Sequence, residues 1–253
     1  MLKVISWNVN SVRARADSVA HVLSTHAPDL LGLQETKVVD ELFPYEQFEG
    51  YHCFISGQPA YNGVAWITKQ PVELVSDTLP GFAEQKRFIA VKMNDWTFVN
   101  VYVPNGGHEV GGEKYQYKLK WLEQLYQTLS KYDLSKLLVC GDFNIAPTDQ
   151  DVYDPEVWQD CVLVTEQERQ AWEKLKSLGL SDVYRTMHDD LPGYTWWDYR
   201  GFSFRRQRGL RIDHFLVSDS CMKDIDQINI DLETRSLNRP SDHAPVQVLI
   251  DGF

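Results

Sequence analysis

Eight short apolar runs, most of them rich in β-branched residues, constrain this chain more than any other feature. They are Leu2 to Trp7, Leu30 to Leu33, Val64 to Thr68, Phe88 to Met93, Thr97 to Val103, Leu137 to Cys140, Ile212 to Val217 and Val246 to Ile250. Runs of this length and composition read as strands covered on both faces. Between them, helical spacing appears in Val12, Ala16, Val19, Ala20 and Leu23, and again in Leu122, Leu125 and Leu129. Thr165-x-x-Glu168 has capping-box spacing, and the stripe Ala171, Trp172, Leu175 and Leu178 behind it predicts a third helix. No repeat, low-complexity tract or Pro/Gly/Ser linker breaks the alternation. The chain therefore reads as one α/β domain, residues 1–253, of packed sheets with flanking helices.

Composition narrows the class. A hydrophobic content of 43% is ordinary for a globular core, and no segment demands a membrane. The first strand begins at Leu2 with no export signal ahead of it, so the expectation is a cytoplasmic protein. Cys53, Cys140, Cys161 and Cys221 are widely spaced without a C-x-x-C pair and read as buried free thiols. A formal charge of −11 argues against non-specific coating of nucleic acid, which depends on neutralising phosphates with Lys and Arg. One segment runs against that balance. Arg200, Arg205, Arg206, Arg208 and Arg211 fall within twelve residues, mixed with Trp196, Trp197, Tyr199, Phe202 and Phe204. Rings that stack and arginines that pair with phosphate suit a polynucleotide; a solvated charged loop is the plainer alternative.

Several strands read out directly into groups that do chemistry. Glu35 follows Leu30, Leu31 and Leu33, and Asn8 follows Val4, Ile5 and Trp7. Asp142 and Asn144 follow the run ending at Cys140, while Asp242 and His243 precede the last strand. Hydrolysis of a phosphodiester needs charge neutralised on the phosphoryl oxygens, a nucleophile made from water, and a stabilised leaving oxygen. Carboxylates with hard oxygens meet the first need by holding Mg²⁺ or Mn²⁺, and Glu35 is the first candidate ligand. Asn8 could orient Glu35 or touch the metal. Asp142 could activate water or protonate the leaving group, and the Asn144 amide can donate to a phosphoryl oxygen. Asp213 and Asp242 suggest that His243 is a carboxylate-oriented imidazole.

The ordered series Ser6 to Arg13, Leu33 to Lys37, Tyr61 to Ala65, Val101 to Gly106, Gly141 to Asn144, Gly209 to Asp213 and Ser241 to Pro245 resembles the exonuclease III branch of the endonuclease/exonuclease/phosphatase superfamily. The likeness spans nearly the whole chain. Glu35, the Asp142/Asn144 pair and Asp242/His243 are shared across the superfamily. Tyr102 to Gly106, Tyr194 to Arg200 and Gly209 to Asp213 are closer to its abasic-site endonucleases.

The resemblance implies a four-layer α/β sandwich, two central β-sheets flanked by helices, with the site at one edge. It implies that Glu35 binds the metal with Asn8 and Asp242, with Asp142 close by, and that Asp213 orients His243. Asp142 handles the water or leaving-group proton; whether Asp142 or His243 is the general base stays open. Tyr102, Asn105 and Asn144 would hold the scissile phosphate, with Asn62 and Arg87 on the DNA side. Trp196, Leu210 and Ile212 fall where the family builds a pocket for a flipped baseless sugar, and core packing is their plainer reading. Arg200 and His108 stand where relatives insert side chains into the duplex.

The implied activity is incision of double-stranded DNA 5′ to abasic sites, leaving a 3′-hydroxyl, with action at 3′ ends, by a monomer in base excision repair. Two departures are visible. Gln85-Lys86-Arg87 replaces the usual acidic-Gly-Arg turn, and His108 is not a long cation. A superfamily enzyme acting on another phosphate ester and a binding-only regulator are the rivals. Presence of Glu35, Asp142, Asp213 and His243 disfavours the regulator.

Overall fold

The computed structural model describes residues 1–253. Two six-stranded sheets face each other. The first contains β1 (Leu2–Asn8), β2 (Leu30–Gln34), β3 (His52–Ser56), β4 (Val64–Thr68), β11 (Ile225–Ile230) and β12 (Val246–Ile250), in the order β11-β12-β1-β2-β4-β3. The second contains β5 (Glu73–Ser76), β6 (Phe88–Met93), β7 (Trp96–Tyr102), β8 (Leu137–Asp142), β9 (Leu180–Asp182) and β10 (Asp213–Ser218), in the order β5-β6-β7-β8-β10-β9. Only β1 with β2 and β7 with β8 pair in parallel. The helices are α1 (Ala16–His26), α2 (Glu113–Leu129) and α4 (Glu166–Lys176), with the short turns α3 (Pro155–Trp158), α5 (Val183–Met187) and α6 (Leu232–Arg235).

Alternation along the strands builds the four layers. Leu2 and Val4 of β1 point between the sheets, where they join Phe98, Leu138, Cys140 and Phe215. Ile5 and Trp7 point the other way, onto Val19, Val22 and Leu23 of α1. In the second sheet Val99, Val101, Leu137 and Val139 face outward onto Trp121, Leu122 and Leu125 of α2 and Trp172 and Leu175 of α4. Successive residues thus serve opposite faces, and both faces are covered, which explains the nearly unbroken apolar runs. The four-layer sandwich is the expected architecture.

The eight expected strands are present with shifted ends: β8 continues to Asp142, β7 stops at Tyr102 and β10 starts at Asp213. Four strands, β3, β5, β9 and β11, escaped the sequence reading, and all four lie at sheet edges. Edge strands are half-covered, so their sequences are mixed; Ile-Asp-Gln-Ile-Asn-Ile of β11 buries only two of its six residues. The third helix begins at the Thr165/Glu168 capping box as expected. All four cysteines are free, but only Cys140 and Cys221 are buried; Cys53 and Cys161 are partly exposed.

A cluster of polar contacts around Asn100 crosses the apolar interface between the sheets, as does the Trp66 Nε1–Ile89 carbonyl bond at 3.3 Å. Buried Asn100 of β7 donates to the Leu33 and Ala65 carbonyls, both at 2.9 Å, and accepts from Gln34 Nε2 at 2.7 Å. Both protons and the oxygen of its own amide are engaged, so it pins the ends of β2 and β7 at one fixed offset. Glu35 and Tyr102 emerge beside that pin.

Candidate active site

The chemistry-bearing residues gather at one edge because of strand direction. Asn8, Glu35, Tyr102 and Asp142 lie at or just past the C-terminal ends of β1, β2, β7 and β8. Asp213 starts β10, antiparallel to β8 and in register with Asp142. His243 precedes β12, antiparallel to β1. Gly141 allows β7 and β8 to close at this point: its φ is +141°, and a Cβ there would sit 1.9 Å from the Val101 carbonyl oxygen. The loops that follow are strained. Asn10, Glu35, Lys37, Asn62 and Asn144 all hold positive φ without being glycine, a conformation that the surrounding hydrogen bonds must enforce.

Asn8 is the hinge of the site. Its amide nitrogen donates to Glu35 Oε1 at 3.0 Å and to Asp142 Oδ2 at 2.9 Å, while its carbonyl oxygen accepts from the Asn10 N–H at 3.0 Å. Both amide protons are thus spent on the two carboxylates, while the side-chain oxygen keeps one lone pair free, so the orienting and metal-contacting readings of Asn8 both stay open. Across from Asp142, His243 Nε2 lies 3.8 Å from Oδ2, and its Nδ1 is 2.8 Å from Asp213 Oδ2. Thr195 Oγ1 donates to the same Asp213 oxygen at 2.6 Å, whereas buried Asp213 Oδ1 has no partner.

These contacts set the protonation. Burial pushes the Asp142 carboxyl up to about 7; His243 and the Asn8 amide oppose that rise, while Asp213 and Glu35 add a smaller repulsion to it. Burial opposes charge on His243, yet the Asp213 and Asp142 carboxylates raise it well above an ordinary imidazole. Burial also works against ionised Glu35, but Lys37, 2.7 Å away, and the Asn8 amide hold it below the usual range. Asp242 is lowered against burial by His243 and by donors Trp196 Nε1 and Asn10 Nδ2, each at 3.0 Å. Tyr102 is raised by burial and by Glu35, and the Arg87 guanidinium stacks 4.3 Å from its ring centroid.

A cavity of about 540 Å³ opens over this group. It brings together Glu35, Tyr102, Asn105, His108, Asp142, Asn144, Trp196, Ile212, Asp242 and His243 of the expected residues. Asn8 and Asp213 stand behind, holding those that face it. Leu210 is fully buried, paired with Trp196 and Val152, and does not reach the cavity. Asn62 is also off the cavity; its carbonyl accepts from Lys37 N–H at 2.9 Å and supports the Glu35 turn. Arg87 lines an adjoining cavity that shares Asn105, Gly107 and His108. Arg200 is exposed outside both.

Sequence reasoning placed Arg211 on the basic face, and the structure corrects that. Arg211 is only 1% exposed and is paired with Asp151 at 2.6 Å and Asp182 at 2.8 Å. Trp197 is likewise interior. Trp158, Cys161, Val162 and Leu163 were missed as cavity walls; Trp158 ends the one-turn helix α3 and the other three fall in the irregular segment after it, too short or too irregular for periodicity to mark. Lys118 was also missed. Buried on α2, it donates to the Asn144 carbonyl at 2.5 Å and the Asn105 carbonyl at 3.3 Å, and it pairs with Glu168.

Comparison with known proteins places this edge in a family. The model of the Endonuclease/Exonuclease/phosphatase family matches residues 5–243. Exodeoxyribonuclease III of Haemophilus influenzae is 37% identical over 97% of this chain and 98% of its own length. The structure of the 3′ phosphatase NExo from Neisseria, bound to product DNA hairpin, superposes with a TM-score of 0.94 at 40% identity, covering 99% of this chain and 100% of that one. An AP endonuclease from Archaeoglobus fulgidus gives a TM-score of 0.95 at 37% identity over the same shares. The chain belongs to the endonuclease/exonuclease/phosphatase family. Within it, the chain is a hydrolytic nuclease of the exodeoxyribonuclease III and AP endonuclease kind. No helix is long and apolar enough to cross a membrane.

Proposed function

We propose that this chain is a divalent-metal-dependent DNA repair phosphodiesterase. It would incise duplex DNA 5′ to abasic sites to leave a 3′-hydroxyl, and process 3′ ends. The observation that carries the reading is Asn8 joining Glu35 and Asp142, with the His243–Asp213 pair across the same cavity. We read it as one domain, acting as a cytoplasmic monomer.

A cation fits the residues present. Glu35, Asp142, Asp213 and Asp242 crowd one edge, and a bound cation would offset the burial that raises Asp142 together with the repulsion Asp213 and Glu35 add to it. Asp142, Asp213 and His243 also lie close enough to hold a metal ion. The Asp213–His243 hydrogen bond favours a different division, with Glu35 and Asp142 as ligands, Asp242 assisting and Asn8 orienting them. Oxygen donors suit Mg²⁺ or Mn²⁺. Bound there, the metal supplies charge neutralisation on the phosphoryl oxygens.

The protein's own groups do the rest. Asp213 and Thr195 fix the His243 ring, so its Nε2–H faces the phosphate. Asn105, Asn144 and Tyr102 donate to the phosphoryl oxygens, and His243 stabilises the charge that develops on them. Asp142 lies where it can move the proton of the attacking water or of the leaving oxygen. Trp196 and Ile212 supply an apolar wall for a sugar without its base.

A second reading makes 3′-end processing the principal activity. Val162 and Leu163 add apolar bulk to the cavity, and Leu163 holds a φ of +88° to do so. Two similar structures, at 40% and 41% identity, are a 3′ phosphatase and a 3′-5′ exonuclease from Neisseria. Labelled duplexes with an internal abasic site, a 3′-phosphate or a recessed 3′-hydroxyl, incubated with Mg²⁺ or chelator, separate the two. Internal incision supports the first reading; action at the ends alone supports the second.

A further inference from the structure

Arg87 and Tyr102 face each other where β6 begins and β7 ends, one step beyond the cross-strand pair of Phe88 with Val101. Three contacts join them. The Tyr102 N–H donates to the Arg87 carbonyl at 2.8 Å, Arg87 Nη1 donates to the Tyr102 carbonyl at 3.3 Å, and the guanidinium carbon lies 4.3 Å from the centre of the Tyr102 ring. Tyr102 lines the cavity with Glu35 and Asp142, while Arg87 stands in the adjoining one.

The guanidinium keeps its charge in this position. Arg87 Nε donates to Gln85 Oε1 at 2.6 Å, a neutral acceptor, and the acid nearest in the sequence, Glu84, accepts from Tyr117 Oη at 2.9 Å. The arginine ion pairs of the molecule belong to Arg169, Arg185 and Arg211. The turn before Arg87 is anchored from the other sheet: Gly63 N–H donates to the Lys86 carbonyl at 2.8 Å, and Gln58 Oε1 accepts from the Lys86 N–H at 3.3 Å. Arg87 is half-buried, and a cation over an aromatic face is held more strongly the less water reaches it. Such a contact fixes the ring plane, and with it the direction of the hydroxyl.

We infer that Arg87 is a positioning residue for Tyr102: the stacked guanidinium keeps the phenol aimed at the phosphoryl oxygen and acts on turnover through that hydroxyl. The inference rests on the nuclease reading, in which Tyr102 donates to the scissile phosphate. Pairing of Arg87 with a DNA phosphate makes a different demand. A phosphate partner works on affinity and its salt dependence, whereas a positioning residue works on the rate at saturating DNA, and only while the hydroxyl is there.

The test is a double-mutant cycle. Single-turnover cleavage at saturating enzyme in Mg²⁺ follows a labelled duplex with one abasic site and a recessed 3′ end, and binding of the same duplex is measured in chelator across a salt series. Arg87→Ala is expected to slow cleavage on the order of 10-fold without altering the slope of log affinity against log salt. In the Tyr102→Phe background, which keeps the ring and removes the hydroxyl, Arg87→Ala is expected to add less than ~2-fold. Arg87→Lys, which keeps a cation near the ring, should lose less rate than Arg87→Ala and show the same dependence on Tyr102; it carries the test if Arg87→Ala lowers the melting temperature. A loss from Arg87→Ala or Arg87→Lys that persists in full beside Tyr102→Phe overturns the inference. So does a salt slope reduced by about 1 with the saturated rate unchanged, which makes Arg87 a phosphate ligand. Either result leaves the nuclease reading standing; failure of wild type to cut the duplex overturns both.

Discussion

Lys118 of α2 and Glu168 of α4 form an ion pair in which neither side chain is exposed to solvent. The lysine spends its other donors on the carbonyls of Asn144 and Asn105, and the glutamate accepts from the backbone of Leu163 and Thr165. One pair therefore ties together three loops that line the cavity. Removing one partner leaves a buried charge uncompensated, so Lys118→Met is expected to cost about 3–5 kcal/mol. Lys118→Met/Glu168→Leu should recover much of that, while phosphate affinity stays impaired because the Asn105 and Asn144 carbonyls lose their common donor. Denaturant titrations of the single and double variants check this; equal stability of Lys118→Met and wild type would contradict it.

Asp142→Asn and His243→Ala are expected to lower turnover by at least ~10²-fold while duplex affinity stays much closer to wild type. Asp213→Ala should give a milder defect of the His243 kind, since the imidazole remains but loses its 2.8 Å anchor. Single-turnover rates and binding isotherms decide; parallel losses of affinity and rate would recast these residues as structural.

Glu35→Ala should raise the metal concentration needed for half-maximal rate and be rescued in part at high metal, because Asp142 and Asp242 remain. A metal titration reads this directly. An equal loss at every concentration would assign Glu35 another role.

Behind the site, Arg211 can only donate, so His214 Nδ1 accepts from it at 3.0 Å, and Nε2–H donates to the Ile145 carbonyl at 2.8 Å. The ring is therefore neutral. Burial and the Arg211 charge push it down to about 4, against Asp182 and Asp151. A depressed histidine means that the unfolded chain takes up the proton first. Stability from this residue is full above the ordinary value of about 6.5 and is lost as pH falls toward 4, at most ~3 kcal/mol. Asp151 and Asp182, whose carboxylates Arg211 holds below their usual range against burial, add losses only at still lower pH. His214→Gln should flatten the fall in denaturation midpoint between neutral pH and pH ~5; an unchanged slope would contradict it.

Trp196→Ala tests the cavity wall. Trp196 is half-buried and tied to Asp242, so its loss is expected to relax discrimination between abasic and intact duplex more than it lowers the melting temperature. An interior Trp would cost ~3–5 kcal/mol and reduce every activity together. Arg200→Ala should act only on DNA binding or product release, leaving metal dependence unchanged.

How far the sequence reached follows from physics. Interior strands such as β8 were legible because both faces are apolar, and their last residues, Asp142 above all, marked the edge where the site forms. Edge strands such as β5 and β11 carry no such signature. Arg211 looked like part of a basic surface because one-dimensional clustering cannot show that its partners Asp151 and Asp182 lie 60 and 29 residues away. The Thr165/Glu168 spacing revealed a helix cap, but nothing local reveals that Glu168 also receives Lys118 from α2. Trp158 reaches the cavity from the end of the one-turn helix α3, and Val162 and Leu163 from the irregular loop after it, where neither helical nor strand periodicity operates.

The central claim is that the Asn8-bridged carboxylates and the Asp213–His243 pair hydrolyse a DNA phosphodiester with a divalent metal. The most direct measurement follows one 5′-labelled duplex carrying a single abasic site and a recessed 3′ end, with wild type and Asp142→Asn, in Mg²⁺ and in chelator. The expected result is Mg²⁺-dependent product ending in a 3′-hydroxyl, at the abasic site, at the 3′ end or at both, with chelator abolishing it and Asp142→Asn slowing it at least ~10²-fold. Wild-type cleavage that survives chelator, or an Asp142→Asn protein that cuts as fast as wild type, would contradict it.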